Sequence, residues 1–241
     1  MTLLAGKSVA VTGGATGIGA AIAARFADEG ARGIVLDVNE PRVLPAGWRS
    51  TIVDVRDDAA VARVFADVGP VDVLVAAAGI VPGWRAITEL DLDEWDQIFA
   101  VNVTGMASTF KHAQLVDGGA IVAVGSLNSW RGDPNIASYV ASKHAVLGLV
   151  RSAALDLGRR GIRVNAVGPG PIATDALLER MRTRERERGI PVAEALAAAA
   201  AQTALGRMAT ADDVANAVLF LASDLAAGVT GHLVPVDCGI A

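Results

Sequence analysis

A β-branched run, Ser8-Val9-Ala10-Val11-Thr12, breaks into Gly13-Gly14-Ala15-Thr16-Gly17-Ile18-Gly19 and then into an alanine-rich helical pattern that reaches Gly30. Strand, glycine turn and helix in immediate succession constrain the fold more than any other stretch of this chain. The order lets a pyrophosphate approach backbone N–H groups at a helix N-terminus, where the aligned peptide dipoles favour negative charge. It outlines a dinucleotide site. Glycines also serve ordinary tight turns, and the position directly after the first strand is what strengthens the reading.

The same alternation repeats down the chain. Strands are expected at 33–37, 51–55, 71–79, 120–125, 163–167 and near 233–236, and helices at 57–67, from Asp91 onward, at 138–158, and from Thr210-Ala211-Asp212-Asp213 to Ser223. The segment 39–47 carries Pro41 and Pro45 and is too interrupted for a full crossover helix. Repeated βα alternation implies an α/β fold, a doubly wound parallel sheet with helices on both faces. The stretch 174–207 is the least sheet-like. Its run Arg182-Thr183-Arg184-Glu185-Arg186-Glu187-Arg188 reads as a solvated helix face, and the whole excursion would make a substrate lid.

Composition narrows the function. With 241 residues, 52% hydrophobic and 20% charged, the chain suits one domain with a large core. The net charge of -5, with no basic block, argues against nucleic acid or anionic membrane as partner. Cys238 is the single cysteine, so no internal disulfide forms and no metal cluster is expected. No apolar run approaches the length of a membrane span, and a cytoplasmic location is expected. Asn102-Val103-Thr104 spells a glycosylation sequon, which in that compartment is a false positive.

Several residues carry chemistry. Tyr139 and Lys143 stand four apart and share one helix face; an ammonium there would lower the phenol's pKa and fit it for proton exchange with an alcohol or carbonyl oxygen. Ser126 follows Gly125 at the end of an apolar strand, where open α/β sheets bind ligands. Asp37, ending the second strand, would accept hydrogen bonds from the adenosine ribose and repel a 2′-phosphate, favouring NAD; its plain alternative is a turn cap, and nearby Arg42 keeps NADP open. Asp54 is placed to meet the adenine amino group, and the small residues before Gly79 would let a cofactor pass close to the backbone. Asn102 is unfavourable in mid-helix, so it either bonds a local kink or serves the site. Gly168-Pro169-Gly170-Pro171-Ile172-Ala173-Thr174 forms a stiff turn able to hold a planar amide.

With these features in order, the chain resembles the classical short-chain dehydrogenases/reductases over essentially its whole length. The resemblance implies a Rossmann-like seven-stranded sheet and hydride transfer between a nicotinamide and an alcohol or carbonyl carbon. It implies Tyr139 as acid/base, Lys143 as pKa modulator and ribose ligand, Ser126 as polariser of the substrate oxygen, and Asn102 as holder of a relay water. Thr12, Gly13, Gly17, Ile18 and Gly19 would line the pyrophosphate, Asp54 and Val55 the adenine, Gly79 the adenosine side, and Ile172 and Thr174 the carboxamide. Two departures stand out: Ala76-Ala77-Ala78-Gly79 replaces the usual Asn-Asn-Ala-Gly, and the segment between Asn102 and Ser126 is short, trimming a helix that usually builds a dimer face. A homotetramer or homodimer is implied.

The leading function is an NAD-dependent dehydrogenase of a secondary alcohol, a sugar or polyol among the options. Alternatives are an NADPH-dependent carbonyl or 3-oxoacyl reductase, and a non-catalytic dinucleotide sensor or scaffold. Trp84, Arg85, Leu127, Asn128, Trp130, Arg131 and Asn135 either line the substrate pocket or face solvent or a neighbouring subunit.

Overall fold

Strand residues alternate between two buried faces, and this alternation builds the architecture. The computed structural model describes residues 2–240. Its strands are β1 (Ser8–Thr12), β2 (Arg32–Asp37), β3 (Arg49–Ile52), β4 (Val71–Ala76), β5 (Leu115–Val124), β6 (Arg163–Pro169) and β7 (Leu233–Val236). They form one seven-stranded sheet in the order β3-β2-β1-β4-β5-β6-β7, every pairing parallel. The helices are α1 (Gly17–Asp28), α2 (Asp58–Val68), α3 (Leu92–Phe99), α4 (Met106–His112), α5 (Ala137–Leu157), α6 (Asp175–Arg188), α7 (Val192–Ala201) and α8 (Ala211–Ala222).

Val9, Val11, Val73, Val75, Val122 and Val124 face one side of the sheet and pack against Ile22 and Phe26 of α1 and Val214, Val218 and Leu221 of α8. Their neighbours Ala10, Leu74, Ile121, Ala123 and Ala166 face the other side, against Phe65 of α2, Met106 of α4 and Val146 and Val150 of α5. Each large side chain buried in these layers contributes roughly 1.5–3 kcal/mol relative to exposure. Side-chain caps start α2, α3, α6 and α8. Asp57 accepts from the Ala60 N–H, and Thr210 and Asp213 bond each other's backbone reciprocally, each cap worth about 1 kcal/mol.

Three strand boundaries differ from the sequence expectation. β3 lies at Arg49–Ile52 rather than 51–55, because its partner β2 ends at Asp37; the Val53 N–H makes a last bond to the Asp37 carbonyl, and Asp54 and Val55 leave the sheet. β4 stops at Ala76 rather than Gly79, for β1 ends at Thr12 and offers only its carbonyl to the Ala77 N–H. β5 begins at Leu115, before a register break against β4, where Gly118 takes a φ of 78°. The helix before it ends at His112, so only two residues separate helix from strand.

Strand order reverses between β1 and β4. The crevice beyond their carboxyl ends is where open sheets of this kind bind ligands.

Candidate active site

Close backbone approach explains the glycine turn. Gly13 has a φ of 66°, and a Cβ there would lie 2.5 Å from the Ala78 nitrogen, so the turn and the end of β4 touch backbone to backbone. At Gly19 a Cβ would meet the Gly13 carbonyl oxygen, which holds α1 hard against the turn. Gly17, with a φ of 54°, faces the Thr174 side chain at 3.4 Å from its would-be Cβ, so the proline-glycine turn closes over the glycine turn. Thr174 also caps α6 by accepting from the Leu177 N–H, while Ile172 is buried. Ile18 occupies the first turn of α1, and Thr12 is buried with its carbonyl bonded to Ala77. The backbone bond ties the central strands where Ala76-Ala77-Ala78 lacks side-chain hydrogen bonding. This cradle of glycine backbone and a helix N-terminus fits a dinucleotide.

Asp37 sits at the end of β2 with both carboxylate oxygens occupied: Oδ2 accepts from the Ala15 N–H (3.0 Å) and Oδ1 from the Asn39 N–H (3.0 Å). Asp54 carries its own cation. Its carboxylate is held by the Arg56 guanidinium at 2.6 Å, which lowers its pKa. Val55 is buried and packs on Gly105, where a Cβ would be 2.6 Å from the Val55 side chain.

Asn102 resolves into a backbone clamp. Between α3 and α4 the helix widens to π-type turns over Ala100–Gly105, and Asn102 is fully buried within them. Its Oδ1 accepts from the Ile80 N–H (2.8 Å) while its Nδ2 donates to the Ile80 carbonyl (2.9 Å) and to Ser142 Oγ (3.2 Å). Ser142 Oγ donates in turn to the Tyr139 carbonyl (2.8 Å). One amide thus joins the strand exit beside Gly79 to Ser142 of α5, from within a distorted helix whose own turns it does not bond. The buried side chain also excludes glycosylation of the sequon. A Cβ on Gly79 would be 3.4 Å from Asn102 Oδ1 and 3.6 Å from Lys143 Nζ, so these groups face one point.

Ser126 caps the short turn Leu127–Ser129: its Oγ accepts from the Asn128 N–H (3.1 Å), and its own N–H donates to Ser129 Oγ (3.2 Å). Accepting leaves its hydroxyl proton available, and the hydroxyl acts to lower the pKa of Tyr139. Lys143, on α5, is buried; its Nζ donates to the Val124 carbonyl (2.9 Å) and lies 5.6 Å from the centre of the Tyr139 ring. Burial lowers its pKa to about 8.

Tyr139 departs from expectation in the direction of its pKa. Burial raises the phenol above its ordinary value, and the opposing influences are the Ser126 hydrogen bond and the charge of Arg180. Lys143 is not among these influences; its ammonium donates to the Val124 carbonyl and is itself desolvated.

Arg180, on α6, is a residue the sequence reading missed. Its guanidinium stacks over Trp84 at 4.2 Å from the ring centre, and that of Arg184 lies 5.4 Å from the same ring. The stretch 182–188 read as a solvated face is divided: Arg182, Arg186 and Arg188 are exposed, while Arg184 turns inward beside Arg180, which precedes the stretch. The spacing of four on one helix was the available signal. Arg85 points away into an ion pair with Glu94 (3.7 Å), and its N–H donates to the Asn135 carbonyl (2.8 Å), which fixes the loop carrying Trp84 beside the entry to α5.

The site therefore holds a serine hydroxyl, a tyrosine and a buried lysine together at the carboxyl edge of the sheet, next to a cradle for a dinucleotide. Residues 13–241 match a family model described as Enoyl-(Acyl carrier protein) reductase. The chain belongs to the short-chain dehydrogenase/reductase family. It is 40% identical over 245 residues to the cis-4-hydroxycyclohexanecarboxylate dehydrogenase of Sinomonas cyclohexanicum, covering 95% of this chain and 94% of that protein. Identity to the mitochondrial (-)-isopiperitenol/(-)-carveol dehydrogenase of Mentha piperita is 39%, over 98% of this chain and 94% of the relative. The ligand-free aldohexose dehydrogenase of Thermoplasma acidophilum superposes with a TM-score of 0.90 at 33% identity, covering 99% of this chain and 95% of that one. Membership of this family carries oxidoreductase chemistry on CH–OH groups of small molecules, with a nicotinamide dinucleotide. No helix among the described residues is long and apolar enough to cross a membrane, and among them no group of His, Cys, Asp and Glu is arranged to hold a metal.

Proposed function

We propose that the protein is an NAD-dependent dehydrogenase of ring-borne secondary alcohols, oxidising the carbinol to the ketone. The observation that carries this reading is the convergence of Ser126, Tyr139 and Lys143 at one edge of the sheet. Tyr139 takes the proton from the substrate hydroxyl, Ser126 donates a hydrogen bond to the same oxygen, and Lys143 holds positive charge beside the phenolate that forms. NAD, when bound, supplies the acceptor for the hydride leaving the carbinol carbon. Asn102 keeps the first turn of α5 in register through Ser142.

Asp37 supports NAD over NADP, since a carboxylate held at the end of β2 by two backbone N–H groups would repel a 2′-phosphate. Thr12, Gly13, Gly17, Ile18 and Gly19 line the pyrophosphate in this reading, with Val55 by the adenine and Ile172 and Thr174 by the carboxamide; Asp54, held by Arg56, contributes its backbone. The helices α6 and α7 act as a lid. Leu155 of α5 is 83% exposed, an apolar side chain suited to a face between copies in a dimer or tetramer. The ring preference follows the three relatives, whose names specify a hydroxycyclohexane acid, a cyclic terpenol and an aldohexose.

The test is a panel of cyclohexanols, terpenols, aldoses and open-chain polyols, each with NAD and with NADP, followed by the absorbance of the reduced nicotinamide. Turnover with NAD on cyclic alcohols is expected. Turnover confined to NADP, or confined to open-chain substrates, would overturn the reading.

A further inference from the structure

Arg180 is a half-buried cation whose Nε–Nη2 edge is shielded and unused. Its Nε and Nη2 are shielded from solvent and have no hydrogen-bond partner, and neither has Nε of Arg184. Nε and Nη2 lie on the same edge of a guanidinium, the edge that grips a carboxylate side-on with two parallel hydrogen bonds. Buried donors are normally satisfied, so two empty ones on one edge call for a missing partner.

The surroundings indicate what that partner is. Arg180 and Arg184 both stand over the Trp84 ring, at 4.2 and 5.4 Å from its centre, placing two like charges around one indole. Nearby carboxylates are engaged elsewhere or remain outside: Glu179 pairs with Arg182 and Arg186, and Asp133 is exposed and acts on Arg180 only through space. A simple latch holding α6 against the loop would need the flat face of the guanidinium alone, and the indole already satisfies that. The edge remains for an anion. The charge of Arg180 also acts on the Tyr139 phenol, which sets this edge on the same side of the site as the acid/base.

We propose that Arg180, backed by Arg184 and Trp84, is a subsite for a carboxylate carried by the substrate, making the preferred substrates hydroxy acids whose acid group stands apart from the carbinol. This rests on the dehydrogenase reading above and deepens it. The acid satisfies the empty Nε and Nη2 of Arg180.

A binding measurement tests the subsite without relying on turnover. The full chain, saturated with NAD, is titrated by calorimetry with cyclohexanecarboxylate, cyclohexanecarboxamide and inorganic phosphate. Wild type is expected to bind the carboxylate about 30-fold more tightly than the amide, the range of a charge-assisted pair of hydrogen bonds. Arg180→Gln should bring the carboxylate to within a few-fold of the amide and leave amide binding unchanged; Arg180→Lys, keeping charge but losing the fork, should fall between. Equal affinity of wild type for acid and amide, binding of neither, or an equal loss of both in Arg180→Gln would overturn the proposal, the last by showing that Arg180 only seats α6. Arg180-dependent binding of phosphate in preference to the carboxylate would overturn it in favour of phosphorylated alcohols. None of the three probes carries a carbinol, so failure of the dehydrogenase reading would show separately, as absence of turnover on any alcohol.

Discussion

Replacing Lys143 by methionine should make the protein more stable while removing its activity. Burial lowers the Lys143 pKa from the ordinary 10.5 to about 8; at about 1.36 kcal/mol for each step of one in pKa, keeping this ammonium charged and buried costs about 3 kcal/mol at neutral pH. Its one direct bond in the structure, to the Val124 carbonyl at 2.9 Å, offsets about 1.5 kcal/mol of that. Methionine fills a similar volume without the charge. The net expectation is a gain of about 1–2 kcal/mol, or about 2–8 °C in melting temperature for a chain of this size. The pH dependence gives the sign. A lysine whose folded pKa lies below its unfolded value leaves the unfolded state holding more protons between about 8 and 10.5, so wild-type stability rises with pH across that window relative to the variant. The advantage of Lys143→Met should be full below pH 8 and fade toward pH 10.5. Thermal or urea unfolding of both proteins at several pH values measures it. A variant less stable than wild type at pH 7, with a gap that does not change up to pH 10, would refute the reasoning.

Two further substitutions probe the site. Asn102→Ala leaves the Ile80 N–H and carbonyl without their partners in a buried setting, and a loss of about 2–4 kcal/mol in urea unfolding is expected; unchanged stability would show that the clamp is not needed. Asp37→Ser removes the carboxylate at the ribose end, and the ratio of kcat/KM for NAD over NADP should fall at least about tenfold; an unaltered ratio would reduce Asp37 to its bonds with Ala15 and Asn39.

The fold was legible because its signals are local. Val9-Ala10-Val11 and Ile121-Val122-Ala123 announce strands buried on both faces, and Gly13, with its positive φ and backbone contact to Ala78, admits no other residue comfortably. Strand ends were less legible, since they depend on partners: β3 stops where β2 runs out, a fact that Thr51-Ile52-Val53 does not contain. At the site, the grouping of Ser126, Tyr139 and Lys143 was readable from spacing and strand position. Their electrostatics were not. Spacing of four suggested that the lysine lowers the phenol, whereas burial raises Tyr139 and turns Lys143 toward Val124. Arg180 was not singled out because it lies just before the alternating run at 182–188, and nothing in the sequence says that Trp84 lies beneath Arg180 and Arg184. The ion pair of Asp54 with Arg56, two residues away, was not anticipated.

The most direct test of the tyrosine's role is the pH profile of cyclic-alcohol oxidation by wild type and by Tyr139→Phe. Because burial raises the phenol, the wild-type kcat/KM should climb from neutral into alkaline pH as the base form becomes populated. Tyr139→Phe should lose about 10²–10⁴-fold in turnover while binding the dinucleotide normally. Turnover retained by the phenylalanine variant, or a wild-type profile that is flat or falls with rising pH, would contradict Tyr139 as the acid/base.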